Sequence, residues 1–285
     1  MQSRTSYFNP TLFRRNLTRF WPLWGLASFI GALFPLAVLL DMVHRGWHSF
    51  SGPEFTQMYY NAVSAVPVIS LVYAALCAMA VWGYLHNTRS VGLMHTLPIR
   101  REGLFLTNFL SGLTMTLIPY AVTGILCVVV SLCGGAFDAR GLAVTVLAVL
   151  GESFFYFSSA TFVAFITGNV FAMPPLYALL HFLAVLLDWL ISSFAQGFIF
   201  GFSTHYTGVA EWLSPTVYLV SRVHPDGQYA EVQRTLADGT SYTDSVLTAV
   251  DLENFWLVGV YALAGLALAL LALLLYRSRR SETAG

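Results

Sequence analysis

Six apolar runs, near residues 21–41, 62–84, 104–133, 141–167, 174–202 and 254–276, dominate this chain. Each matches or exceeds the roughly 20 residues a helix needs to cross a hydrocarbon core about 30 Å thick. That core holds no water to satisfy backbone N–H and C=O groups, so such runs fold as helices whose hydrogen bonds close within the segment. The runs therefore predict an all-α, polytopic integral membrane protein with six transmembrane helices. Composition agrees: 57% of the 285 residues are hydrophobic and 10% are charged, where soluble domains carry about 25% charged residues. The mean hydropathy is +0.68.

The few charges are sorted by position. With the N-terminus inside, the inner segments hold Arg4, Arg14, Arg15, Arg19, Arg89, Arg100, Arg101, Arg277, Arg279 and Arg280, and the outer loops hold Arg45, Arg140, Arg222 and Arg234. Basic residues accumulate on the cytoplasmic side of membrane spans, so ten against four places both termini in the cytoplasm. An even number of spans requires the same. Most acidic residues, Asp41, Glu54 and Asp138 among them, fall outside. Trp21, Trp24, Trp47, Trp212 and Trp256 lie near the span boundaries and read as interfacial belts.

The N-terminal MQSRTSYFNP lacks the ordered h-region and cleavage site of a signal peptide, so the first apolar run is expected to remain as a span. Ahead of it, Phe13, Leu17 and Phe20 fall on one helical face of residues 10–20 and Arg14, Arg15 and Arg19 on another. This is the pattern of an interfacial helix with its arginines among headgroups; a plain basic tail that sets orientation is the other reading. Asp188, Gly197 and Gly201 interrupt the fifth run, which leaves two layouts open: one long helix, or a span ending near Ile191 followed by a short re-entrant helix. Pro215 would break a full span at 212–220, making that stretch a second re-entrant candidate. Residues 203–253 form a small extracellular cap between spans five and six, and their Asp-Gly pairs suggest a hairpin or tight turns. The whole chain, 1–285, reads as a single transmembrane domain.

Several functions are excluded or disfavoured. The chain contains no lysine, and a Walker A loop needs one to reach the nucleotide phosphates. No GxSxG, HExxH or CxxC pattern occurs. Cys77, Cys127 and Cys133 lie in or beside apolar runs and read as small apolar side chains. His44 and His48 are one turn apart near Asp41, but no third firm ligand accompanies them, so no metal site is expected. Net charge is zero, and no case arises for nucleic acid.

Three ionisable residues fall within the spans. Glu152 is midway along the fourth, where a carboxylate is costly and turns to a cavity or a partner. No arginine lies inside a span, so Glu152 must be protonated, hydrogen-bonded to hydroxyls or amides, or in contact with water. His181 and Asp188 are seven residues apart on one face of the fifth span. The three read as a polar or cargo path, as structural hydrogen bonds between helices, or as acid–base groups of a membrane-embedded enzyme.

One inner segment is large enough to dock a partner. Residues 85–103 carry Asn87, Thr88 and Ser90 as helix-capping types, a stop at Pro98, and then Arg100 and Arg101. An amphipathic helix along the inner membrane face and an ordinary short loop both fit. The stretch from Thr88 to Gly112, with its core MHTLPIRREGLFLTNFLSGL, resembles the segment after the second span of ABC-2-type permeases, the membrane subunits of bacterial ATP-driven exporters. The resemblance implies a coupling helix that docks on a separate ATPase subunit through Arg89, His95, Leu97, Pro98, Arg100, Arg101 and Glu102, the four charged residues making ionic contacts. It further implies a second permease subunit, identical or different, contact with membrane lipids, and location in the bacterial plasma membrane. ATP and Mg would be held by the partner and no cofactor by this chain. Anionic headgroups would satisfy the same arginines, and a sensing or scaffold subunit without transport is a further reading.

Overall fold

A computed structural model of the chain describes residues 8–46, 50–86, 100–202, 211–235 and 241–278. Six of its helices are long and apolar enough to cross a membrane, as the six runs predict. In chain order the helices are α1 (Pro10–Arg19), α2 (Trp21–Arg45), α3 (Gly52–Trp82, extended by a 3-10 turn to His86), α4 (Arg101–Cys133), α5 (Ala139–Ile166), α6 (Met173–Phe198), α7 (Pro215–Arg222) and α8 (Trp256–Ser278). Strands β1 (Pro225–Thr235) and β2 (Ser241–Leu252) lie between α7 and α8.

The bundle is centred on α5, which packs most extensively on α3 and α8. Between helices in lipid the attraction is close van der Waals contact, because lipid tails are as apolar as the side chains they would replace. Small residues therefore mark the tight crossings. A Cβ added at Gly265 of α8 would lie 2.8 Å from the Phe155 Cα of α5, and one at Gly112 of α4 would run into the Phe157 ring. Helix α4 bridges the centre to the N-terminal elements, packing on α1, α2, α3 and α5. Pro119, inside α4, cannot donate a backbone hydrogen bond to the carbonyl one turn back. That carbonyl, Met115 O, instead accepts from the Tyr73 hydroxyl of α3 at 2.8 Å.

The fifth span resolves as one helix. Residues 173–198 contain no glycine before Gly197 and no proline after the opening turn. The chain leaves the helical path only beyond Phe198, and Gly201 adopts φ +81°, a conformation glycine takes without steric cost. The stretch around Pro215 forms a short helix, α7, with the proline in its first turn. Helix α7 packs on α3, α6 and α8.

The cap contains a two-stranded antiparallel hairpin, with pairs running from Pro225–Leu252 to Thr235–Ser241 and a bulge between Gln228 and Tyr229. Asp226 and Gly227 lie in β1 and form no turn; the second Asp-Gly pair, at 238–239, lies outside the described residues. The base of the hairpin is pinned to the end of α7: Glu253 N donates to His224 O (3.0 Å), and Asn254 Nδ2 donates to Arg222 O (3.1 Å).

Candidate functional site

The end of the bundle expected to face the cytoplasm, the inner end, carries the segment that sequence reasoning singled out. Arg89, His95, Leu97 and Pro98 lie outside the described residues. The remainder is the start of α4. Arg100 stands in extended backbone as the N-cap, and Arg101 is exposed in the first turn. Glu102 Oε1 accepts from Arg277 Nη2 of α8 at 2.6 Å. One of the four ionic candidates is thus engaged within the chain, closing the end of α8 onto the start of α4.

Beneath this entry the ends of four helices meet in an aromatic cluster. Trp82 is fully buried. Its ring lies 5.3 Å from Phe105 of α4 and 4.9 Å from Phe165 of α5. Tyr276 of α8 completes the group, 5.8 Å from Phe105 and 5.5 Å from Phe165. These separations and tilts are those aromatic pairs favour. Trp82 Nε1 donates to Thr161 Oγ1 at 3.2 Å, so the buried indole N–H is satisfied.

Helix α1 seats on the same end. Asn9 caps it, its Oδ1 accepting from Thr11 N and Leu12 N at 3.0 and 3.1 Å; the backbone N–H of Asn9 donates to Thr107 Oγ1 (3.1 Å). The face buried against α4 is Leu12 and Asn16, with Phe13, Leu17 and Phe20 half-buried beside it. Asn16 Nδ2 donates to Asn108 Oδ1 and to Ser111 Oγ, both at 2.9 Å. Sequence periodicity found the apolar stripe but missed this polar contact, because Asn16 gives no local sign that its partners lie on the third span. Arg14, Arg15 and Arg19 are exposed and make no ion pair with an acidic side chain among the described residues.

A second polar group lies at the depth of the spans. His181 of α6 is fully buried. Its Nε2 is 3.2 Å from Ser159 Oγ and its Nδ1 is 3.3 Å from Thr216 Oγ1. Tyr156 OH donates to Thr216 Oγ1 (3.1 Å), and Ser159 Oγ donates to Tyr156 O (2.9 Å). Donor counting assigns one tautomer. Thr216 receives from Tyr156 and donates to Nδ1, while Nε2–H donates to Ser159. The Tyr156 ring stacks on the imidazole at 5.1 Å and Tyr177 meets it edge-on at 4.6 Å. Every polar atom in the ring is satisfied, as a buried network requires.

Glu152 is one turn from Tyr156 on α5 and fully buried. Neither of its carboxyl oxygens has a hydrogen-bond partner among the described residues, and the same holds for the hydroxyls of Ser153 and Ser158. Asp188 is half-exposed on α6, with no side-chain hydrogen bond or ion pair among the described residues. No hydrogen bond joins any two of Glu152, His181 and Asp188. The sequence placed His181 and Asp188 on one face, but the structure gives them different surroundings: His181 faces α5 and α7, and Asp188 lies two turns on.

Among the described residues no three His, Cys, Asp or Glu side chains gather around a common point; Asp41 pairs with Arg45 at 2.9 Å, His44 Nδ1 lies 2.8 Å from Leu40 O, and His48 lies outside the described residues. An apolar crevice among α2, α3 and α4, lined by Phe34, Phe55, Met58 and Cys127 among others, shares no residue with either polar group.

Neither the protein-family models nor the curated proteins contain a match to this chain. The fold itself defines the class: a polytopic α-helical membrane protein with six long apolar helices and a small cap.

Proposed function

We propose that this chain is the transmembrane permease subunit of an ATP-driven exporter of the ABC-2 type, moving a hydrophobic or amphipathic cargo such as a lipid, drug or peptide. In this reading a separate ATPase subunit binds ATP and Mg, a second permease subunit completes the pathway, and both termini face the cytoplasm of a bacterial cell. The segment ending at Arg100–Glu102 carries the motion of the ATPase into the membrane.

One observation carries the reading. The point where that segment enters α4 is mechanically continuous with the bundle. It is tied to α8 through Glu102–Arg277, to α1 through Asn16 and its partners, and to α3 and α5 through the aromatic cluster. A push on Arg100 and Arg101 therefore has four helices to move. The embedded-enzyme reading lacks comparable support, because its three candidate groups share no hydrogen bond.

The test is co-purification of the full chain with candidate ATPase subunits in nanodiscs, followed by ATP turnover of the complex with Arg100 and Arg101 both replaced by Glu. The expected result is a stable wild-type complex and loss of assembly or cargo-linked turnover in the double variant. A wild-type chain that binds no ATPase, or a double variant with undiminished turnover, would overturn the reading.

A further inference from the structure

We propose that Glu152 is a proton-binding site at the centre of the membrane domain, holding one exchangeable proton for as long as the helices packed on α5 enclose it. This inference stands independently of the exporter reading.

A carboxyl group at span depth has three ways to avoid the cost of an isolated charge: a protein hydrogen bond or ion pair, a contact with water or a cation, or a proton. The first is absent, since both oxygens lack a partner among the described residues. No compensating cation is near either, because every arginine in a long helix lies in a terminal turn: Arg45, Arg101, Arg140 and Arg277. The second needs space. Both oxygens are sealed from any water-sized volume, internal or external, so neither a water molecule nor a metal ion sits against them. A proton requires no cavity, and it is the ligand that remains.

The surroundings agree. Helix α4 contributes Tyr120, whose hydroxyl is engaged 2.7 Å from Ser70 Oγ of α3. Helix α5 itself contributes Tyr156, already donating to Thr216. The interior of α3 carries Tyr73 and Cys77, and Tyr73 is committed to Met115 O. Helix α6 contributes His181, bound to Ser159 and Thr216, and Asp188, which is half-exposed. Helix α8 carries no charged residue before Arg277. Among the described residues no hydrogen bond or ion pair from any packed element reaches the Glu152 carboxyl. Ionisation is therefore linked to separation of the helices: when the helices packed on α5 part from it, water reaches the carboxyl and the proton leaves to solvent; when they close, a proton returns.

The test is infrared spectroscopy of the purified full chain in nanodiscs, wild type against Glu152→Gln, in H₂O and D₂O. The spectra are taken from about pH 6 to about pH 8, where a solvated glutamate (about 4.3) is fully ionised. The expected result is a carboxylic C=O band that shifts in D₂O and is missing from the variant. A second measurement needs no variant. Dicyclohexylcarbodiimide adds to a protonated carboxyl in an apolar site: the acid proton moves to a carbodiimide nitrogen, the carboxyl oxygen bonds to the central carbon, and O-to-N acyl migration leaves an N-acylurea with no leaving group. Mapping by mass spectrometry should find this adduct on Glu152 and none on the solvent-exposed Glu102. A carboxylate band at residue 152 over this pH range, with Glu152 unmodified, overturns the proposal. A carboxylate band that responds to added sodium or potassium overturns it in favour of a cation site.

Discussion

The two ends of this bundle are built by different means. At the end that carries the hairpin, the outer end by the expected orientation, each of the four arginines has an acidic partner: Arg45 with Asp41, Arg140 with Asp251, Arg222 with Glu211 and Arg234 with Asp244. These pairs are exposed, and the elements they join stand partly in solvent. At the inner end a buried aromatic cluster closes the helices, and Arg14, Arg15, Arg19 and Arg101 have no acidic partner among the described residues. Exposed pairs contribute about 0–1 kcal/mol each and adapt easily, whereas a packed aromatic core resists deformation. The outer end is thus electrostatically self-contained, and the inner end presents a stiff floor beneath uncompensated positive charge.

The sharpest way to break the contrast is Trp82→Ala. Lipid tails are as apolar as the cluster, so the loss comes from empty volume and forfeited dispersion contacts. The expected destabilisation is about 3 kcal/mol, the lower end of the large-to-small range, read as the unfolding midpoint in a detergent titration. An unchanged midpoint would mean the inner floor is not where the stiffness resides. Next in size is Asn16→Ala, which strands the buried Asn108 carbonyl and costs about 1–3 kcal/mol. Hydrogen exchange across residues 10–19 should quicken by roughly 10- to 100-fold while α5 keeps its protection. Equal acceleration in both would show that α1 is not a separately docked element.

The outer end should respond less. Asp138 caps α5 by accepting from Arg140 N and Gly141 N at 2.9 and 3.1 Å, and it also accepts from Thr56 Oγ1 at 2.6 Å. Asp138→Ala is expected to cost about 1 kcal/mol, a modest shift of the same midpoint. Arg140→Gln removes a pair whose side chains are 84% and 57% exposed. It should change stability by less than about 1 kcal/mol, and molar salt should erase even that difference. A larger, salt-resistant loss would place Arg140 in a role the pairing with Asp251 does not describe.

Much of this architecture was legible from the chain alone, because bilayer thickness fixes the length of a span. The six long helices follow from the length and hydropathy of the runs and the helix over 10–19 from its periodicity; the Asp-Gly pairs suggest a hairpin or tight turns, and a hairpin is present, but Asp226–Gly227 sits within its first strand. What could not be read was pairing across distance. Thr216 looks like an ordinary residue beside a proline, and its contact with His181 exists only once α6 and α7 are side by side. Tyr73 gives no hint that it caps the carbonyl freed by Pro119. For the candidate sites, sequence found Glu152 and His181 from their cost at membrane depth, but the cost does not say that His181 is fully satisfied and Glu152 has no hydrogen-bond partner among the described residues. The continuity of α6 was open because Asp188 and the following serines are compatible with either layout; the absence of a backbone-breaking residue before Gly197 decided it.

The tight crossing of Gly265 on Phe155 has a consequence for how the protein is made. Helix α5 leaves the ribosome before α6, α7 and the hairpin, and α8, whose Gly265 seats against its Phe155, follows all of them. Helix α5 is also the least apolar of the six spans, and it brings Glu152 into the bilayer. During that interval it must be held in the membrane by α3 and α4, joined by α6 and α7 as they emerge. Assembly of this bundle is therefore gated by α8, and a chain that stalls before residue 256 leaves an unfinished α5 surface for membrane quality control to recognise.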